Sequence, residues 1–226
     1  NNFINLSEIK AEVFYRSTGR NTRITRGSKL APFIKMPKGM GGYIDFTGPR
    51  RPTYVYGLRF ERGRGSEHSP ELGWGTKSRG YLKYMPTDTL SFSLMYQHQR
   101  ENEWLNWYGD NLLATFQRKQ RTSVVEMEWF RNNIHELRIK AQMVAFTGRE
   151  PQSFLGDLSG NLNPEDIYIP PITISELAFQ VRYRYEIMPL SYLYLVYSKG
   201  GRISLQDEED DLFLSLIHIS EPTRPS

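Results

Sequence analysis

Residues Glu176 to Ser198, ELAFQVRYRYEIMPLSYLYLVYS, hold two runs of strand-forming residues that meet at Met188-Pro189-Leu190, a joint long enough only for a tight turn. Leu177, Phe179, Val181, Tyr183, Tyr185 and Ile187 alternate with Ala178, Gln180, Arg182, Arg184 and Glu186. A period of two sustained over about a dozen residues gives one apolar face and one charged face. Strands that are apolar outside and polar inside, with a short turn at one end, are what an outer-membrane β-barrel is built from. In such a wall Tyr183, Tyr185, Tyr192 and Tyr194, close to the turn, are expected to form the periplasmic-side aromatic girdle. A half-buried strand pair of a soluble sandwich shows the same alternation, so the rest of the chain has to decide.

The pattern recurs. Ile9, Ala11, Val13 and Tyr15 alternate with Lys10, Glu12, Phe14 and Arg16; Tyr54, Tyr56, Leu58 and Phe60 share one face; Leu90, Phe92, Leu94 and Tyr96 alternate with Ser91, Ser93, Met95 and Gln97. Val125, Met127 and Trp129 oppose Glu126 and Glu128, and Leu137, Ile139, Ala141 and Met143 oppose Arg138, Lys140 and Gln142. Short turns are expected at Pro86-Thr87-Asp88, Asn132-Asn133 and Pro189, and long loops around 17–41, 63–71, 100–110 and 148–172. Short turns alternating with long loops fit a transmembrane barrel, whereas a soluble sandwich has no reason to gather its long loops at one end. The expected architecture is all-β: an antiparallel up-and-down transmembrane β-barrel fragment of about eight to ten strands, incomplete at both ends.

Composition agrees. Of the 226 residues 38% are hydrophobic, yet aromatics reach 13%. Mean hydropathy is −0.56, and no run of about 18 apolar residues offers a membrane helix. Barrel strands need apolar residues only at alternate positions, so this hydropathy does not count against them. Cysteine is absent, which excludes disulfides and thiolate metal sites. The net charge of +4 comes from interspersed signs and not from a basic face, so no nucleic-acid partner is expected.

Three blocks, TLSFSLMYQHQRENEWLNWYGDNLLATFQRKQ, VVEMEWFRNNIHELRIKAQMVAFTG and ELAFQVRYRYEIMPLSYLYLVYSKGG, resemble consecutive parts of a bacterial family. Its members carry a family-nine-like carbohydrate-binding module followed by a large C-terminal domain, itself of unassigned function and predicted to form an outer-membrane barrel. The resemblance covers about Tyr54 to Asp211 and is most specific in the last hairpin. It implies residence in the bacterial outer membrane, lipid as a partner, and glycans as partners through a module outside this segment. The family continues past the acidic run 207–211 to a closing strand with an aromatic end. Here LSLIHISEPTRP follows, which resembles a translated sequencing-adapter remnant. Residues 1–211 are therefore read as a partial barrel and 212–226 as a non-native tail. The opening NNFINLSEIK lacks a charged leader and an apolar core, so an export signal is expected upstream.

Catalytic motifs are missing: GxSxG, HExxH and Walker patterns do not occur, and His68, His98, His135 and His218 are not spaced for a metal. No cofactor, metal or catalytic group is expected. Glu126, Glu128, Arg138, Lys140, Arg182, Arg184 and Glu186 are expected on one face. A glycosidase would make two such carboxylates its acid and base, held within about 10 Å. A barrel interior instead uses such charges to satisfy one another. Trp104, Trp107 and Tyr108, read as an outer loop, are candidates for a sugar-stacking platform or an outer aromatic girdle. The alternative to the barrel is a soluble all-β domain that binds or cleaves glycans, with its apolar faces turned inward against a second sheet.

Overall fold

The computed structural model describes residues 7–64, 72–132 and 134–205, with side chains as far as Arg202. The acidic run 207–211, the 212–226 tail, His68 and His218 lie outside the described residues. The described residues form strands and no helix. The strands are β1 (Glu8–Arg16), β2 (Gly19–Asn21), β3 (Ile34–Met36), β4 (Gly39–Thr47), β5 (Tyr54–Arg64), β6 (Trp74–Thr87), β7 (Leu90–Gly109), β8 (Leu112–Arg131), β9 (His135–Gly156), β10 (Leu162–Glu165), β11 (Ile172–Met188) and β12 (Ser191–Leu205).

Nine of these make one antiparallel meander in the order β1-β4-β5-β6-β7-β8-β9-β11-β12, with β10 paired to the far end of β9 and β2–β3 a separate hairpin. The sheet is open: among the described residues β1 bonds only to β4, and β12 only to β11. The all-β, antiparallel expectation is met.

Connections at one end are residues 48–53, 88–89, 132–134 and 189–190. Those at the other end include 17–38 and 157–171, which carry β2–β3 and β10. One expected long loop is absent. Residues 100–110 are not a loop, because β7 runs to Gly109 and turns at Asp110-Asn111, with Asp110 at φ 42°. Asp adopts this left-handed conformation at low cost, which makes a two-residue turn possible. Similarly, β9 continues through 148–156 where loop was expected. The apolar alternation that marks the lower strands fades in these upper parts, so they read as irregular.

Register fixes the faces, since residues paired across strands project to the same side. One row runs Tyr56–Leu82–Leu94–Val125–Ala141–Phe179, and the next Tyr54–Tyr84–Phe92–Met127–Ile139–Val181–Tyr197. The opposite side carries Lys83–Ser93–Glu126–Lys140–Gln180.

Two bulges flank β8 at one level. Between the pairs Glu101↔Arg118 and Trp104↔Phe116, β7 carries an extra residue. Between Thr115↔Gln152 and Gln117↔Arg149, β9 does the same. Glu103 and Glu150 take positive φ there, at 59° and 52°. Above the bulges both faces are covered. Ile34 of β3 packs on Leu105 and Leu113, joined by Ile24, Trp107 and Leu162. On the other face Ile169 packs on Ala114 and Phe116, joined by Trp104 and Ile172. The β2–β3 hairpin is tied to the 157–161 turn by the Lys35 amide, which donates to the Gly160 carbonyl (2.8 Å), and Phe33 covers Gly160, whose φ is +79°. Below the bulges the large apolar side chains are exposed, from Ile9 and Val13 on β1 to Leu195 and Tyr197 on β12.

Candidate functional site

The charged face is an ordered network. Asp45 and Arg59 are register partners, joined at 3.5 Å, and Arg59 also reaches Glu61 (3.5 Å) and stacks over Tyr43 (3.8 Å to the ring centre). Further along, Lys140 binds Glu126 at 2.7 Å, and Arg138 bridges Glu128 (3.6 Å) and Glu136. Arg184 also reaches the buried Glu136, at 3.0 Å. Register places all seven expected interior charges on this face: Glu126 opposite Lys140, Glu128 opposite Arg138, Arg138 opposite Arg182, and Arg184 and Glu186 alternating along β11. Glu126 and Glu128 each answer a cation on a neighbouring strand. Among the described residues no group of three or more His, Asp or Glu could hold a metal ion.

The tyrosine girdle divides. Tyr183 and Tyr185 lie on the apolar face, opposite Leu137 and His135. The Tyr183 hydroxyl meets His135 Nδ1 at 2.6 Å, and Tyr185 stacks on the same imidazole at 5.1 Å. Tyr192 and Tyr194, however, pair with Glu186 and Arg184 on the charged face, where Arg184 and Arg182 lie 4.9 and 5.3 Å from their ring centres. The reason is a bulge in β11 between Glu186 and Met188, just before the two-residue turn, which shifts the phase so that Leu193, Leu195 and Tyr197 take the apolar side. The four rings therefore do not form one girdle.

The three upper aromatics also separate, and they lie in β7, not in a loop. Trp104 pairs with Phe116 on the charged face, 6.0 Å between rings, and meets Phe146 edge-on at 5.5 Å. Tyr108 approaches Phe116 at 6.2 Å. Trp107 pairs with Leu113 on the other face, carries Arg26 over its ring at 5.2 Å and donates from Nε1 to the Asp110 carbonyl (3.1 Å). These rings pin covering segments to the sheet and do not share a plane on which a sugar could stack.

Two groups escaped sequence reasoning. Glu101 is buried and binds Arg118 at 2.9 Å, and the same guanidinium lies 5.1 and 5.2 Å from the Trp104 and Phe146 rings. No spacing rule announces a pair seventeen positions apart. The second group is Arg62, Arg100, Lys119 and Arg121, which follow the alternation of the apolar face but replace its apolar residues at the upper edge. A switch from aromatic to basic at alternate positions, Tyr96–His98–Arg100, was the available signal.

Compared with models of known protein families, with curated proteins and with solved structures, the chain has no match. Its class rests on the sheet itself: a wide, open antiparallel meander with one charged and one apolar face.

Proposed function

We propose that this sheet is part of the wall of an outer-membrane β-barrel in a bacterium, with the apolar face toward lipid and the charged face toward the interior. This wall anchors, or passes solute for, a glycan-handling module carried outside residues 1–226. The observation that supports the reading is an inversion of exposure. On β4, Ile44 is 57% exposed while its neighbour Asp45 keeps 30% of its side chain accessible; on β5, Leu58 is 61% exposed and Arg59 37%. A sheet made for water shields its apolar face and exposes its charges; on β4 and β5 the charges are the more sheltered, whereas on β9 Arg138 and Lys140 are exposed beside half-buried Leu137 and Ile139. In a bilayer the inversion is favourable, because apolar side chains meet hydrocarbon and opposite charges satisfy each other inside. Strand length also suffices: a membrane crossing takes about 9–11 tilted residues, and β5 through β9, with β11 and β12, all have at least 11.

Because the sequence has no cysteine, a single introduced thiol reports unambiguously. Leu58→Cys and Leu94→Cys, in membranes of cells exporting the full-length protein, should resist a water-soluble maleimide and accept a lipid-confined one. Arg59→Cys and Ser93→Cys should behave the other way round. Equal aqueous labelling on both faces, or recovery of the protein in the soluble fraction, overturns the reading.

A further inference from the structure

The apolar face ends in a feature that a lipid-facing wall does not need. Arg62, Thr76, Arg100 and Lys119 occupy one register row across β5, β6, β7 and β8. Arg121 stands one step below, opposite His98. Direct cross-strand apposition of Arg100 with Lys119 is destabilising in isolation, as like charges repel over about 5 Å. Most cations of the charged face are answered, although among the described residues Lys77, Arg79 and Arg182 form no ion pair there and Arg182 lies over the Tyr194 ring instead. On the charged face Arg59, Lys83, Arg118, Arg138, Lys140, Arg184 and Arg202 all have carboxylate partners. Among the described residues Arg62, Arg100, Lys119 and Arg121 have no carboxylate partner and all four are exposed, while Arg62 lies 5.6 Å from the Trp74 ring centre. Four cations gathered without a counter-charge among the described residues leave room for an anion.

The second observation lies directly beneath. On this face β6 presents Thr76, then Ser78, then Gly80, all small, between Phe60 and Leu58 of β5 and His98 and Tyr96 of β7. The result is an open depression of about 510 Å³ lined by Ile44, Phe46, Leu58, Phe60, Gly80 and Tyr96. That volume falls within the range of ligand sites, about 300–1,000 Å³. The row of small residues runs along β6 and reaches Thr76, between Arg62 and Arg100. With strands about 4.8 Å apart, the two guanidiniums flank it from backbones about 10 Å from each other. Each can bond a phosphate oxygen in a bidentate manner.

We propose that this is a binding site for an anionic lipid, with its phosphate held by Arg62, Arg100, Lys119 and Arg121 and one acyl chain lying along β6 over Ser78 and Gly80. The inference rests on the barrel reading above. A cationic row at the edge of an apolar band meets lipid phosphates at the height of the headgroups, and the attraction is strongest there. The trough distinguishes a site from a general basic rim, because it gives one chain a fixed place.

The test uses the full-length protein refolded into nanodiscs of phosphatidylcholine with a minor fraction of phosphatidylglycerol. Lipids retained after release are counted by native mass spectrometry. The expected result is selective retention of phosphatidylglycerol by the wild-type chain. Arg100→Gln combined with Lys119→Gln should lower that preference by roughly fivefold per charge removed, with the neutral lipid held as before. Gly80→Leu, whose added Cβ would lie 3.3 Å from Leu58 Cδ2, fills the trough and should weaken retention of both lipids without loss of insertion. An unchanged preference in the double variant overturns the site. Displacement of the bound lipid by millimolar inorganic phosphate would also overturn it, in favour of a site for free phosphate. A chain that inserts but shows no preference refutes this inference alone; one that does not insert refutes the barrel reading with it.

Discussion

Leu190 sits in the β11–β12 turn at φ 68° and is 88% exposed. Left-handed backbone costs an L-residue roughly 1–2 kcal/mol, and asparagine bears it more easily. Leu190→Asn is thus expected to stabilise the hairpin by about 1 kcal/mol, read as a higher urea midpoint on unfolding from detergent micelles. Facing makes a larger prediction. Leu94→Arg and Ile139→Arg should each cost about 2–4 kcal/mol if they lie near the bilayer midplane, whereas Ser93→Arg, on the charged side, should cost far less. Equal losses at positions 93 and 94 in the same unfolding assay would contradict the assignment of faces. A third residue responds to pH. The Asn161 amide donates to Asp157 Oδ1 at 2.8 Å, and this bond, followed by that from the Asn161 side chain, holds the Asp157 carboxyl below its ordinary value. The folded turn therefore favours the carboxylate. Its contribution is complete above the ordinary carboxylate range, near pH 4, and fades as pH falls through the lowered folded value. Amide exchange at Asn161, corrected for its intrinsic pH dependence, should show protection lost over that acidic window and lost at every pH in Asp157→Ala.

Among the elements, β7, β8 and β9 stand apart, at 20, 20 and 22 residues. Their lower halves carry the two-faced pattern; their upper halves lie beyond the paired bulges and hold the buried clusters. The alternation of Leu90 to Tyr96 was legible because facing along a strand is a local property with a period of two. The continuation of β7 to Gly109 was not. After Glu103 the bulge shifts the phase, and Trp104, Leu105, Asn106 and Trp107 no longer alternate in a way that names a face. Trp107 shows the consequence. A sugar platform would need an open ring face, but here Arg26 and the Ile34 cluster surround it. Trp107→Ala is expected to loosen the β2–β3 hairpin, with faster exchange of the Lys35 amide and no change in the lower strands. An effect confined to glycan binding would restore the platform reading.

At the scale of the described residues, the sheet exposes both an apolar face and two edges, β1 and β12, that no described strand pairs. In water such a surface aggregates through its edges and patches. The chain is accordingly expected to precipitate on refolding in buffer and to remain dispersed, with a β-type circular dichroism spectrum, in detergent micelles; a stable monomer in buffer would count against the membrane wall. The sequence by itself determined the strand class, the antiparallel turns and which residues share a face on each lower strand, since backbone pleating and short-range turn chemistry are written in neighbouring residues. Tertiary structure decided what depends on register between distant segments. That includes the burial of Glu101 with Arg118, the parting of Tyr183 and Tyr185 from Tyr192 and Tyr194, and the meeting of Arg62, Arg100, Lys119 and Arg121. Cross-strand neighbours lie about 5 Å apart whatever their separation along the chain. Only the pairing of strands, with its bulges, can say which of them meet.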